Sequence, residues 1–166
     1  MSQNLYYPLS VGNSWTYRMS NGDLYTLKII SSENGVYQIH NSFEDTTTPV
    51  KKVGNKIFGT VGGGNELKER FRENAKPGDT WEFEYQANGL DNLLRHQVKE
   101  FLKSIEVNGN TYTDVLVVEA ELWMLISGNL TSINYFTQYY YAKGVGGILT
   151  TTSQGDRIEL IDYKLK

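Results

Sequence analysis

Glycine-containing turn dipeptides divide this 166-residue chain at short intervals along almost its whole length. Asn-Gly pairs stand at 21–22, 34–35, 88–89 and 108–109, and Gly-Asn or Gly-Asp pairs at 54–55, 128–129 and 155–156. Such pairs tolerate the positive φ angles of the tight turns that join antiparallel strands. The segments between them are rich in Val, Ile, Thr, Tyr, Phe and Trp. The spacing predicts an all-β fold, a single antiparallel, strongly curved sheet or incomplete barrel with at most one short helix.

Apolar and polar side chains alternate within several of these segments, as they do in strands that have one packed face. In the segment 111–125, Leu116, Val118, Ala120, Leu122 and Met124 fall on one face. Glu119, Glu121 and Trp123 fall on the other. A strand of this length is expected to bend or to contain a bulge.

The segment 91–105 fits two kinds of secondary structure. Leu94, Val98, Phe101 and Ile105 recur at helical spacing, and Asp91 suits the N-cap of a helix. The hairpin signal at 107–112 follows directly and favours a strand. We predict a strand here, with a helix packed on the sheet as the alternative.

Composition excludes several functional classes. Sixteen basic and nineteen acidic residues give a net charge of −3, so the basic surface that a nucleic-acid partner requires is absent. The absence of cysteine excludes thiol catalysis, disulfides and thiolate metal sites. The charge run 66–73 mixes both signs and is typical of a solvated edge. We expect no cofactor and no bound metal.

Length and hydropathy indicate one domain and no transmembrane segment. We predict a single β domain over residues 1–166, which is close to the usual size of one domain. No stretch approaches the ~20 consecutive apolar residues of a membrane helix. Residues 1–5 lack the basic and apolar regions of a signal peptide, although a chain with its leader removed would look the same. The compartment therefore stays open at this point.

Four segments resemble those of a group of bacterial proteins. They are residues 7–17 (YPLSVGNSWTY), 77–81 (PGDTW), 107–115 (VNGNTYTDV) and 140–147 (YYAKGVGG). Together they resemble uncharacterised bacterial secreted proteins and lipoproteins. The resemblance implies a curved sheet broadly similar to the half-barrels of lipoprotein carriers, and a periplasmic, cell-surface or secreted location. The resemblance implies no catalytic residue, and this chain lacks the lipidation cysteine of such proteins.

Candidate catalytic groups are few. His40 and His96 have no metal-binding spacing, and we predict that they are surface or hydrogen-bonded residues. The glycines at 62–64 lack the Lys-Ser/Thr ending of a phosphate loop and predict a hairpin loop. Glu119 and Glu121 share one strand face with Trp123, as a carboxylate pair beside an aromatic platform in a glycosidase would. Such same-face neighbours are also common on ordinary solvated strands.

Aromatic residues are the most suggestive feature of the sequence. Tyr135, Tyr139 and Tyr141 share one strand face, and with Trp123 they are the predicted ligand-binding residues. Trp15 and Trp81 each follow a turn and begin a strand, so both rings should be buried. The alternative is that all these rings complete an irregular core.

Three functional hypotheses follow. The first is a non-enzymatic envelope or secreted domain whose curved sheet binds an apolar or amphipathic ligand or a protein partner. The second is a structural accessory domain without a ligand. The third is a small carbohydrate-active enzyme that uses Glu119 and Glu121.

Overall fold

A computed structural model describes residues 4–166, so residues 1–3, which belong to the segment inspected for a signal peptide, lie outside the described residues. Within this range there is no α-helix, and hence none long and apolar enough to cross a membrane. The strands are β1 Ser14–Arg18, β2 Leu24–Glu33, β3 Val36–Asn41, β4 Thr46–Val53, β5 Lys56–Gly59, β6 Lys68–Arg72, β7 Thr80–Ala87, β8 Leu90–Val107, β9 Asn110–Ile126, β10 Asn129–Ala142, β11 Gly146–Thr152 and β12 Arg157–Lys164. The segment 91–105 lies within β8, so the strand is confirmed and the helix alternative is wrong.

All twelve strands belong to one antiparallel sheet, which confirms the predicted fold class. The strand order is β6-β5-β4-β3-β2-β1-β12-β11-β10-β9-β8-β7. Each half of the chain is therefore a six-stranded meander, and β1 pairs with β12 to join the two halves. The predicted turn pairs supply the hairpins: Asn34, Asn88 and Asn108 have φ angles of 52°, 55° and 51°, the left-handed conformation that these tight turns require.

The sheet curls until its two edge strands, β6 and β7, approach each other, which makes a nearly closed barrel. The guanidinium carbon of Arg72 on β6 lies 5.1 Å from the centre of the Trp81 ring on β7. One buried cluster contains Ile57 and Phe71 from one edge region together with Trp81 and Val98 from the other. Apolar burial thus holds together two edges that no ladder of backbone hydrogen bonds joins.

The first tryptophans of the two halves occupy equivalent places. Trp15 near the start of β1 is 6% exposed and Trp81 near the start of β7 is 5% exposed, so the prediction that both are buried is confirmed. The Nε1 atom of Trp15 donates a hydrogen bond to the carbonyl of Val145 at 2.7 Å. Nε1 of Trp81 has no partner within the described residues, and its ring stacks on His96 instead.

The β8–β9 hairpin is much longer than its neighbours, with strands of 18 and 17 residues. A bulge between Val98 and Glu100 bends it, as expected for strands of this length. Its tip reaches β1, where Asn108 Oδ1 accepts a hydrogen bond from Arg18 Nη2 at 2.8 Å. Val107 beside the tip is fully buried in a second cluster that also contains Leu160 of β12. The far end of the hairpin therefore braces the junction between the two halves of the sheet.

Candidate functional site

The interior of the curled sheet contains two adjoining cavities, of about 230 and 210 Å³. Shared walls are formed by Tyr7, Leu27, Ile39, Arg70 and Tyr141. The first cavity is completed by Pro8, Trp15, Tyr17, Tyr25, Tyr139, Gly146, Gly147, Thr150 and Ile158. Taken together, the two cavities fall within the roughly 300–1,000 Å³ typical of small-molecule sites. The wall of the first cavity is mainly aromatic and apolar, whereas about half of the second is polar and includes Asn41, Glu44, Thr46, Thr48 and Thr60.

Strand alternation and cross-strand pairing bring the tyrosines into the interior. Tyr139 and Tyr141 are two positions apart on β10 and share a face, with ring centres 6.4 Å apart. Tyr17 of β1 is directly opposite Tyr25 of β2, and their rings stack at 5.4 Å. Tyr141 also packs on Phe71 at 4.3 Å. Because neighbouring rings hold each other, the walls of the cavity are preorganised.

The chain before β1 closes the lower end of the barrel, where β1 begins and β12 ends. Tyr7 in this segment contributes its ring to both cavities. The backbone N–H groups of Tyr6 and Tyr7 each donate to the Glu73 carboxylate at 2.8 Å. The carbonyl of Leu5 accepts a hydrogen bond from the N–H of Gly144 at 2.7 Å. Charged and backbone hydrogen bonds thus fasten this closing segment to both halves of the sheet.

Arg70 introduces a positive charge into these aromatic walls. The residue sits at a bulge of β6, where the register with β5 shifts between Ile57 and Phe58. Gly59 on the neighbouring strand β5 leaves space for the stem of Arg70, since a Cβ on Gly59 would lie 3.3 Å from Arg70 Cγ. Arg70 Nη1 donates to the carbonyl of Thr60 at 3.1 Å. Within residues 4–166, no carboxylate lies within ion-pair distance of this guanidinium.

The titratable groups that face Arg70 are neutral at physiological pH. Burial raises the pKa values of Tyr7 and Tyr141, and the nearby charge of Arg70 opposes that rise. Burial, reinforced by Arg70, lowers the pKa of His96 to about 4. Burial likewise raises the pKa of Tyr85, again against the effect of Arg70. The interior therefore holds the positive charge of Arg70 among protonated phenols and a neutral imidazole, with the Glu44 carboxylate on the exposed rim of the second cavity.

A larger, more polar cleft of about 640 Å³ lies at the upper end, between the loop after β5 and the β7–β8 and β9–β10 hairpins. Lys68, the cation in its wall, pairs with Glu66 at 2.9 Å, and Asp91 accepts a hydrogen bond from Gln86 at 2.7 Å. Tyr85 forms part of its wall and lies against Gly62, where a Cβ would come within 3.2 Å of the ring. The interior differs from this cleft in that the cation in its wall, Arg70, has no ion-pair partner among residues 4–166.

The structure separates the four predicted ligand-binding residues. Tyr139 and Tyr141 line the first cavity. Tyr135, opposite Leu122, lies further along the same face of β10 and lines neither cavity. Trp123 lies on the opposite face of the sheet, where Arg95 stacks over its ring at 4.8 Å. The expectation that Trp123 joins the tyrosines on one concave surface is therefore wrong.

The candidate carboxylate pair also faces outward. Glu119 accepts a hydrogen bond from Gln138 Nε2 at 3.1 Å and lies 3.9 Å from Lys99 Nζ. Glu121 accepts a hydrogen bond from the hydroxyl of Ser132 at 2.8 Å. Both carboxylates are thus engaged by neighbours on the convex side, away from the two cavities.

The remaining candidates have mixed outcomes. His40 pairs with Asp45 at 3.0 Å, as expected of a hydrogen-bonded surface residue. His96 is not a surface residue, because it is 1% exposed, and its Nδ1 has no partner in the described chain. The glycines at 62–64 lie in the β5–β6 hairpin loop, as predicted. Residues 4–166 hold no group of three histidine and carboxylate side chains that could bind a metal ion.

Arg70, Tyr7, Tyr17 and Tyr25 were missed as site residues. Arg70 belongs to the charge run 66–73, and the expectation that this run is a solvated edge is wrong there, because the β6 bulge directs Arg70 inward and Phe71 is fully buried. In the sequence Tyr17 alternates with Arg18 and Tyr25 with Thr26, a pattern that is typical of strands with one packed face. No local signal indicated that those faces enclose a cavity.

Comparison with solved structures identifies the fold. A Bacteroides fragilis protein described as exported, with a YmcC-like fold, superposes with a TM-score of 0.59 at 8% identity, over 98% of this chain and 100% of that chain. A Parabacteroides distasonis protein described as a lipoprotein gives a TM-score of 0.52 at 13% identity, over 97% and 99%. No protein-family model matches the sequence, and comparison with curated proteins finds no significant match. At these identities the likeness shows a shared fold and nothing further.

Proposed function

We propose that this chain is a non-enzymatic binding protein of the bacterial cell envelope that holds an apolar or amphipathic ligand inside its curled sheet. The observation that carries the proposal is the pair of adjoining interior cavities walled by tyrosines, with Arg70 as an unpaired charge. The envelope location is supported by structural neighbours that are described as exported or as a lipoprotein.

The chemistry of the cavities supports binding rather than catalysis. Their walls hold protonated tyrosines, one arginine and the carboxylate of Glu44, whose hydroxyl partner, Thr46, is exposed on the rim of the second cavity. Glu119 and Glu121, the pair on which a carbohydrate-active enzyme would depend, face outward and are engaged by neighbours. Burial of about 200–300 Å² of apolar ligand surface at ~25 cal/mol per Å² would contribute about 5–7 kcal/mol before association costs. Affinities in the micromolar range are therefore expected.

The test is a titration of the native protein with the neutral fluorophore N-phenyl-1-naphthylamine. We expect saturable fluorescence enhancement, and displacement of the fluorophore by an apolar competitor. Thr150→Phe places a ring in the first cavity and should weaken binding at least tenfold. Thr151→Phe is the matched control because the next residue of β11 points to the opposite face, so it should leave binding unchanged.

Two results would contradict the proposal. A cooperatively unfolding protein that shows no saturable binding would favour the structural accessory domain, with an interior that admits no ligand. Equal weakening by Thr150→Phe and Thr151→Phe would place the bound fluorophore outside the cavities.

A further inference from the structure

Building on that proposed function, we infer that the ligand is a single-chain amphiphile with one carboxylate head, bound by Arg70, with its tail against the tyrosine-lined wall. This inference rests on the binding function proposed above and adds the chemistry of the head group. It is carried by the position of Arg70 in the wall shared by both cavities.

Arg70 has binding capacity that the protein itself does not use. A guanidinium has five N–H donors in a planar fork, and the hydrogen bond from Nη1 to the Thr60 carbonyl uses one of them. The other arginines in β6, β8 and β12 have carboxylate partners: Arg72 pairs with Glu69, Arg95 with Glu82 and Arg157 with Glu159. Arg70 has no such partner within residues 4–166, although it is the arginine that lines the interior.

The groups around Arg70 favour an anion over a neutral head. Tyr7 and Tyr141 line both cavities with it, and their raised pKa values keep both phenols protonated and able to donate hydrogen bonds. His96 is neutral and therefore adds no second positive charge. Glu44 is the one carboxylate residue among the described lining residues, and it lies on an exposed turn beyond β3, where it accepts a hydrogen bond from Thr46. A partly desolvated guanidinium in such a site gains most from a charged acceptor.

The number of positive charges in the wall determines which anion fits best. The lining residues provide one cation, Arg70, for the head group. A carboxylate carries a single charge and matches the guanidinium fork through two parallel hydrogen bonds. A phosphate monoester carries about −1.5 to −2 at neutral pH, which leaves part of its charge uncompensated in this setting. A carboxylate head is therefore the better match.

The experiment compares three head groups on the same ten-carbon tail. At pH 7.5, wild-type protein loaded with N-phenyl-1-naphthylamine is titrated with decanoate, 1-decanol and monodecyl phosphate. We expect decanoate to displace the fluorophore at a concentration at least tenfold lower than 1-decanol, and also lower than monodecyl phosphate. In Arg70→Gln the ratio between decanoate and 1-decanol should fall to about one, while the neutral fluorophore still binds.

Two further variants complete the design. Arg95→Gln removes an arginine from the outer face, beside Trp123, and should keep the wild-type ratio. Arg70→Lys retains the charge without the planar fork, so decanoate should still be preferred over 1-decanol, by a smaller factor. If Arg70→Gln does not fold, Arg70→Lys tests the role of the guanidinium in its place. Thermal unfolding of each variant shows which variants are folded.

The outcomes separate the two proposals. If the fluorophore binds but decanoate and 1-decanol are equally effective, the carboxylate assignment is overturned and the binding function stands. The same holds if Arg70→Gln keeps the preference, or if monodecyl phosphate is the strongest competitor. If the fluorophore does not bind to folded wild-type protein, the binding function itself fails.

Discussion

The burial of His96 couples the stability of this protein to pH. The imidazole is 1% exposed, its ring stacks on Trp81 at 5.2 Å with an angle of 5° between the planes, and Nδ1 has no partner within the described residues. Burial, together with the charge of Arg70, lowers its pKa to about 4, whereas the unfolded chain keeps a value near 6.5. The unfolded state therefore binds a proton at a higher pH than the folded state does.

The sign and size of the effect follow from this difference. His96 contributes its full stabilisation above pH 6.5, and that contribution is lost as the pH falls from 6.5 toward 4. A folded pKa of about 4 corresponds to about 3 kcal/mol in total. Because this stabilisation is lost as His96 of the unfolded chain becomes protonated, the free energy of unfolding should be about 2 kcal/mol lower by pH 5.

The assay is urea unfolding of wild-type protein and His96→Phe at pH 7, 6 and 5. Phenylalanine preserves an aromatic ring against Trp81 but does not titrate. Carboxylates titrate in both proteins, so the difference between the two pH dependences isolates His96. We expect wild type to lose about 2 kcal/mol more than His96→Phe between pH 7 and pH 5.

Parallel curves for wild type and His96→Phe would show that the folded protein accommodates the charged imidazole, and the reasoning from burial would be refuted.

Two further predictions concern packing and the closing segment. Trp15→Ala and Trp81→Ala should each lower the free energy of unfolding by about 3–5 kcal/mol, measured by urea unfolding. Replacement by Phe should destabilise the protein more at position 15 than at position 81, because Trp15→Phe leaves the Val145 carbonyl without its donor. Equal losses of unfolding free energy at the two positions would contradict this. Glu73→Gln should weaken the attachment of Tyr7 and speed limited proteolysis before β1, with unchanged cleavage as the contrary result.

Turn chemistry made most of the fold predictable. The Asn-Gly pairs at positions 34, 88 and 108 each form the tight turn that their side chains favour, so strand boundaries follow from local sequence. The ambiguity in β8 has a physical cause. The bulge between Val98 and Glu100 shifts the alternation by one residue, so Leu94 and Val98 are followed by Phe101 and Ile105 at helical spacing. A strand with one bulge can thus imitate the period of a helix.

The candidate site was less predictable because it depends on pairings between distant strands. Tyr139 and Tyr141 were identified because they are two positions apart on one strand. Trp123 was misplaced because the sequence does not say which face of a curved sheet becomes concave. Arg70 lies in a mixed charge run, and only the register shift between β5 and β6 turns it toward the interior. Such shifts arise from packing across strands and leave no local signature.

The pairing of β1 with β12 has a consequence for how the chain folds. It joins Arg18 to Glu159, 141 positions apart, whereas every other strand pair in residues 4–166 joins consecutive strands. Two meanders can therefore assemble from local hairpins, while their union must overcome the entropy of closing nearly the whole chain. A circularly permuted chain opened between β6 and β7 would make all strand pairs sequential neighbours. The long-range strand pairing of this barrel is thus concentrated in one ladder of five residue pairs and is not spread over the whole sheet.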